Sequence, residues 1–233
     1  MSEKLEQFNK FLKNIDLKKY REKYSKIKTV ELDLPKKIQC IEKCYEFYWD
    51  KFELINFETF YENHKNSIKS ELEDFRKKSF FSEDTFYLGF PARMYRTWAS
   101  LLTQIQGGFV ANSIYKKVLM SADLDYSGID MQIYYNDDTY VNLQIKKESL
   151  SREVRVPKKI KNKRKQEIIN ITYQVPGNIS LTLKGEERKP VKDWKNKWEK
   201  KLDILDNGFV IFLPEMFEKN NIKADDSVEL VID

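Results

Sequence analysis

One histidine, two cysteines, seven glycines and six prolines are a thin supply for a chain of 233 residues. Each shortage closes off a class of function. With His64 alone, Ser-His-Asp nucleophilic catalysis and the imidazole-rich zinc and haem centres are nearly excluded. Cys40 and Cys44 stand at i,i+4 and cannot staple a chain this long, which fits a reduced intracellular protein. Both are expected to lie part-buried and inert on a helix. His64 has no companion ligand and reads as a surface or capping histidine. The glycine and proline counts exclude collagen-like and low-complexity behaviour. No apolar run approaches the ~18 residues of a membrane span. The opening MSEKLEQFNK is charged and unlike a leader peptide, so a cytoplasmic protein with no membrane partner is expected. An enzyme made from these residues must work with carboxylates, lysines and a bound hard cation.

What is present points to a folded domain with an uneven field. Hydrophobic residues make up 41% and aromatics 14%, enough for a core, while 34% of residues are charged. The net charge of +5 is concentrated: 18 of the 42 Lys+Arg but only 7 of the 37 Asp+Glu fall between Lys146 and Lys201, a net of +11 against −6 for the remainder. The densest stretch, RVPKKIKNKRK from Arg155 to Lys165, holds seven basic residues in eleven. Such a segment is the electrostatic footprint of a polyanion, or simply a solvated loop; its place within the domain and after the motif described below favours nucleic acid.

Apolar periodicity predicts helices over residues 3–26 (Leu5, Phe8, Phe11, Leu12, Ile15), 37–53 (Ile38, Ile41, Tyr45, Tyr48, Trp49) and 57–78. Residues 92–120 lie in a stretch free of acids and suggest a long buried helix with Pro91 in its first turn. Gly107-Gly108 inside that helix needs a reason, either a kink or close approach by a neighbour. Arg93 and Arg96 suit a partner carboxylate, a phosphate or a structural pairing. Further on, strands are expected near 168–174, 179–183, 209–213 and 228–232. A helix over 191–202 should place Trp194 and Trp198 in the core or at a dimer contact, not in a stack on bases.

The chemistry sits in SADLDYSGIDMQIYYNDDTYVNLQIKKES, Ser121 to Ser149. Two alternating strands flank NDDT. Met131, Ile133 and Tyr135 share one face with Val141, Leu143 and Ile145. Asp130, Gln132 and Tyr134 share the other with Tyr140, Asn142, Gln144 and Lys146. A two-residue turn at Asp137-Asp138 would pair Asp130 with Ile145 and mix the faces. A three- or five-residue connection, or a bulge, is therefore expected. The apolar face needs a cover, and the long helix is the obvious one.

Asp130 followed by Gln144-x-Lys146 on the next strand has the form of the PD-(D/E)xK nuclease core. In that arrangement Asp130 binds a divalent cation, and the carbonyl of Ile145 and the residue at 144 complete its oxygen shell. Lys146 orients the attacking water or stabilises the charge on the phosphorane. Glutamine at 144 removes one negative charge, and Asp125 is placed to compensate. Asp123 is a weaker candidate, suited to capping the preceding helix.

FLKNIDLKKYREKYSKIKTVELDLP (Phe11 to Pro35), LGFPARMYRTWASLLTQIQGGF (Leu88 to Phe109) and DLDYSGID with QIKKES together resemble the TaqI group of type II restriction endonucleases, over most of residues 1–155. The resemblance implies a homodimer that uses Mg2+ to cut double-stranded DNA at the palindrome TCGA, between T and C. A cognate DNA methyltransferase would belong to the same restriction-modification system without being a binding partner. It implies Asp125, Asp130 and Lys146 as the catalytic group and carries over no second acid for Gln144. The expected fold is α/β of the α+β kind, with a restriction-endonuclease-like core. A mixed sheet is flanked by helices, in one domain over 1–233. That domain divides into a helical N-terminal region (1–90), a catalytic core (91–150) and a DNA-binding and C-terminal region (151–233). Lys147, Arg152, Arg155, Lys158, Lys159, Lys163 and Arg164 are candidates for the DNA backbone. Arg152, Arg155, Gln174 and Asn178 are candidates for base reading. Two other classes stay open: a non-catalytic DNA-binding module, and a repair or structure-directed nuclease with the same core.

Overall fold

Polar caps, not apolar periodicity, set where three of the N-terminal helices begin. The computed structural model describes residues 2–27, 34–135, 139–149, 168–175, 182–183, 186–187 and 189–218. Ser2 caps α1 (Glu3–Asn14), and Asp16 Oδ1 accepts the Lys19 N–H at 2.9 Å to open α2 (Leu17–Tyr24). The helix expected over 3–26 is thus two, because a carboxylate at Asp16 satisfies a free N–H only if the helix restarts there. The stretch expected at 37–53 is α3 (Ile41–Cys44) running into a π-helical turn, Tyr45–Asp50, followed by Phe52 at φ 55°. Asn56 caps α4 (Phe57–Ser67), and Ile68 separates it from α5 (Lys69–Lys78).

The central element is α6 (Glu83–Asn112), 30 residues long. It does not start at Pro91, as the sequence reading expects. Ser82 caps it through the Thr85 N–H, and Pro91 lies inside the helix. An N-cap satisfies an orphan donor, whereas the proline only removes one, so the serine sets the boundary. The Gly107-Gly108 pair answers to close approach by side chains. A Cβ on Gly107 would lie 3.0 Å from Phe212, 3.2 Å from Phe217 and 3.4 Å from Ile145. A Cβ on Gly108 would lie 2.1 Å from the Met120 sulfur and 3.0 Å from the Trp49 ring. Met120 can yield, but Trp49 is held against Phe109 with ring centroids 4.8 Å apart. Gly108→Ala is therefore expected to lose about 1–2 kcal/mol, overpacking outweighing a helix-propensity gain of about 1 kcal/mol. Urea unfolding measures it; a variant as stable as wild type would show that the Trp49 side gives way.

A four-stranded mixed sheet packs on α6 in the order β1 (Lys117–Leu119), β2 (Met131–Tyr134), β3 (Tyr140–Ser149), β4 (Ile168–Val175). Only β3 and β4 are parallel. Met131 opposes Leu143 and Tyr134 opposes Tyr140, and Tyr135 N–H donates to Thr139 O at 2.9 Å. That register leaves three residues in the connection, one of the lengths required by the apolar pattern. Met131, Ile133, Leu143 and Ile145 are buried on the face toward α6. α7 (Ala122–Tyr126) bridges β1 and β2.

The C-terminal part adds β5 (Thr182–Leu183), β6 (Glu186–Glu187), α8 (Lys189–Trp198), β7 (Leu202–Ile204) and β8 (Val210–Phe212). Trp198 is buried, and the Trp194 indole N–H donates to Gln174 O at 2.7 Å, so both tryptophans serve packing, as expected. The strand expected at 228–232 lies outside the described residues. Asn207 ties this part to the N-terminal helices by donating to Leu12 O and Ile15 O at 2.7 and 2.8 Å. On α6, Gln106 exchanges two hydrogen bonds with the backbone of Phe212.

Two further expectations need correction. His64 is neither a surface nor a capping residue: it is 1% exposed, paired through Nε2 with Ile38 O at 3.0 Å, and burial lowers its pKa. Sequence cannot show that the loop before α3 folds over it. Cys40 and Cys44 are fully rather than partly buried, and burial raises the Cys44 thiol well above its usual range. Among the described residues, no helix is long and apolar enough to cross a membrane.

Candidate active site on the polar face of the hairpin

The segment that carries Asp125 and Asp130 is folded by its own sequence. Ser121 Oγ accepts the Leu124 N–H at 3.3 Å and starts α7. One turn later the chain closes in a Schellman arrangement: Gly128 N–H donates to Asp125 O at 2.8 Å and Ile129 N–H to Leu124 O at 2.9 Å. Gly128 takes φ +80°, the left-handed conformation that the motif requires and glycine supplies without strain. The five-residue step from Asp125 to Asp130 is the span of this closure. Asp123 lies exposed within the first turn of α7 and caps no preceding helix. Tyr126 fastens the turn to the segment before α3, its hydroxyl donating to Lys36 O at 3.0 Å.

Asp130 enters the sheet with its N–H donating to Leu143 O at 2.8 Å. It lies one residue before Met131, which opposes Leu143, and so meets β3 along the Leu143–Ile145 segment. Its Oδ2 accepts the Ile145 N–H at 2.6 Å, fixing the carboxylate to the backbone of β3. N–H and C=O of one strand residue leave the same edge, so the Ile145 carbonyl also points toward Asp130. Lys146, two residues past Gln144 on the same face of β3, is half-buried and close enough to Asp130 for their charges to interact. The structure therefore brings Asp130, Gln144, the Ile145 carbonyl and Lys146 together.

The electrostatics are those of a site short of positive charge. Asp130 is 5% exposed, and its pKa is pushed up to about 7. Burial is the main cause; the Ile145 N–H and Lys146 pull it back, and the neighbouring Asp125 carboxylate adds to the rise. Asp125 is also raised by burial. The buried carboxylate of Asp130, the half-buried one of Asp125, the Gln144 amide and a backbone carbonyl can supply an all-oxygen donor set, the kind that hard divalent cations take. No group of three or more His, Cys, Asp or Glu side chains suited to a metal occurs among the described residues. A cation here would rest on two acids and neutral oxygens.

Sequence reading assigns Tyr45 to the core and misses its part in this site. Its hydroxyl donates to Asp125 Oδ2 at 3.3 Å, and both Asp125 and Asp130 add to the rise of its pKa, which burial dominates. Tyr45 opens the π-helical turn, a distortion often found at functional sites and invisible to a 3.6-residue periodicity.

Lys147 is exposed on the opposite face from Lys146. Arg93 is half-buried and Arg96 exposed on α6. Gln174 is half-buried on β4. Arg152, Arg155, Lys158, Lys159, Lys163, Arg164 and Asn178 lie outside the described residues.

A family model described as TaqI restriction endonuclease matches residues 5–223. The chain is 33% identical over 219 residues to the type II restriction enzyme TthHB8I of Thermus thermophilus. It is equally similar, 33% over 219 residues, to the type II restriction enzyme TaqI of Thermus aquaticus. Each match spans 89% of this chain and 83% of the relative. No solved structure matches.

Proposed function

The chain belongs to the TaqI restriction endonuclease family, and on that premise we propose that it cuts double-stranded DNA at the palindrome TCGA, between T and C, using Mg2+. The observation that carries this reading is the Asp130 carboxylate fixed by the Ile145 N–H, between Gln144 and Lys146 on β3 and close enough to Lys146 to feel its charge. Asp125, Asp130 and the Ile145 carbonyl are the residues that would hold the cation, with Gln144 beside them. When bound, the cation supplies an acidified water and neutralises charge on the phosphate.

The chain's own residues do the rest. Asp130 is held still by a backbone hydrogen bond, so its free oxygen keeps one orientation. Lys146 sits beside the scissile phosphate and stabilises the charge that develops there. Lys147, Arg152, Arg155, Lys158, Lys159, Lys163 and Arg164 bind backbone phosphates and position the duplex. The 233 residues act as one nuclease domain, and a two-fold dimer sets one active site against each strand of the palindrome. The protein works in the cytoplasm beside a cognate DNA methyltransferase that it does not need to bind.

Tyr45 keeps Asp125 turned toward the site. Tyr45→Phe removes one hydroxyl and is expected to raise the Mg2+ concentration for half-maximal cleavage by about 10-fold or more. A metal titration of cleavage, with a thermal melt as control, checks it; an unchanged Mg2+ requirement would make Tyr45 a packing residue only.

Digestion of a plasmid of known sequence, with mapped ends, tests the function. Fragments ending at TCGA support the whole reading. Fragments at another palindrome keep the nuclease and discard the specificity. Cuts confined to mismatches or junctions would point to a repair nuclease, and binding without cutting across several divalent metals to a DNA-binding module.

A further inference from the structure

A cationic groove lies on the other face of the sheet, at the end of β3. Three separate elements build it: α2 contributes Arg21, α6 contributes Arg96, and β3 contributes Lys147. The groove encloses about 390 Å3. None of the described residues that line it is Asp or Glu, although the chain has 37 of them. Ser25 and Ser100 add exposed hydroxyls at its wall.

Arg21 is held at the groove by a feature of the backbone opposite. Its guanidinium lies against Gly208, with Nη2 donating to Gly208 O at 3.5 Å. A Cβ at 208 would stand 2.8 Å from Nη2 and 2.9 Å from Nη1. Gly208 also takes φ +89°, so the tight turn between β7 and β8 requires glycine, and the absent Cβ leaves room for the guanidinium beside it. Arg96 and Ser100 are one helical turn apart on α6 and face the groove together.

We propose that this groove takes a backbone phosphate of the duplex at a position away from the cut bond, an inference that rests on the nuclease reading. Two guanidiniums and an ammonium around a wall whose described residues include no acid suit a phosphate: guanidinium forks match its oxygens, and the lysine adds a point charge. The groove's relation to Lys146 favours DNA over a free anion. Lys146 and Lys147 start from Cα atoms about 3.8 Å apart and leave opposite faces of one strand. A duplex carries a charge every ~3.4 Å along each strand, so one bound at Lys146 offers further phosphates to the rim where Lys147 emerges.

The test is duplex binding in Ca2+ across a range of salt concentrations, for wild type and for Arg21→Gln, Arg96→Gln and Lys147→Gln, singly and combined. Each lost contact is expected to make the slope of log K against log salt shallower by about 0.9. The change should be the same for duplexes with and without TCGA, because phosphates carry no sequence. Arg21→Lys and Arg96→Lys keep the charge and are expected to keep most of the slope; they serve if a glutamine variant does not fold. Slopes equal to wild type in all variants would overturn the proposal. So would calorimetric binding of inorganic phosphate that the variants lose while their DNA slopes stay unchanged, since the groove would then serve a free anion. A wild-type protein that binds no duplex would overturn the nuclease reading along with the groove. Normal wild-type binding, weakened by Lys146→Gln but by none of the groove variants, would overturn the groove alone.

Discussion

Asp130→Asn is expected to lower the cleavage rate by at least about 1,000-fold, roughly 4 kcal/mol of transition-state stabilisation, while duplex binding in Ca2+ persists. The substitution is chosen from the geometry. Asparagine keeps an oxygen able to accept the Ile145 N–H that Asp130 Oδ2 accepts at 2.6 Å, and it removes only the charge. Asp130→Ala should abolish cleavage too. It would also strand a buried N–H, at a cost of about 1–3 kcal/mol, and so confuse chemistry with folding. Stability separates the two. In metal-free protein the Asp130 carboxyl is pushed up to about 7, against 3.8 for an unperturbed one. Between about pH 4 and 7 the unfolded chain has released a proton that the folded chain keeps. Stability therefore falls as pH rises through that window, and the cost is complete above it. Asparagine carries no such cost, so metal-free Asp130→Asn should melt at or above wild type at neutral pH. Quenched-flow cleavage with a parallel melt measures both. Cutting within about 10-fold of wild type would remove Asp130 from the chemistry.

Lys146→Gln is expected to lower kcat by about 100- to 10,000-fold with the Mg2+ requirement moved only a few-fold. Lys146 shares a face of β3 with Gln144, lies close enough to Asp130 for their charges to interact and is half-buried, so its ammonium sits where screening by water is reduced. Lys147 gives the internal contrast. It is the same residue type one position along, on the other face and exposed. Lys147→Gln should appear in KM and in the salt dependence of binding, with kcat little changed. Steady-state kinetics on a short duplex separate the two parameters. Equal losses of kcat in both variants would mean that the alternation of the strand does not divide their roles, and a Lys146→Gln enzyme with full kcat would exclude Lys146 from the reaction.

The hairpin shows how far local pattern reaches. Two apolar triplets, Met131-Ile133-Tyr135 and Val141-Leu143-Ile145, can face the same side only with an odd connection, and the observed register has three residues there. Shifting by one residue would turn every side chain over, so the pattern alone specifies which polar residues gather. Asp130, Gln144 and Lys146 were legible for that reason. Asp125 was legible through its step to Asp130, and Ser121 and Gly128 show why the step is five residues: they begin and end one helical turn.

Helix limits were less legible. Asp16 and Ser82 act through single hydrogen bonds to backbone N–H groups. Periodicity averages over a whole window and passes over them. Pro91 misled in the same way, since a proline suits a helix start but does not compel one. His64 and Tyr45 lay further out of reach. Whether a lone histidine is exposed depends on what folds over it, and here the Ile38 carbonyl receives its ring. Tyr45 meets Asp125 across 80 residues of chain.

The sequence by itself determined the alternation of the strands, the one-turn closure between the two aspartates, the concentration of positive charge after Lys146, and the family. These depend on residues near one another in the chain, where spacing and stereochemistry leave few choices. Only the tertiary structure decided that Asp130 is anchored to Ile145, that Tyr45 supports Asp125, and that Arg21, Arg96 and Lys147 meet at one groove. The tertiary structure also explained the glycine pair of α6, which is small because the rings of Phe212, Phe217 and Trp49 press against it. Such contacts join residues far apart in sequence, and close packing around α6 fixes them where no local propensity acts.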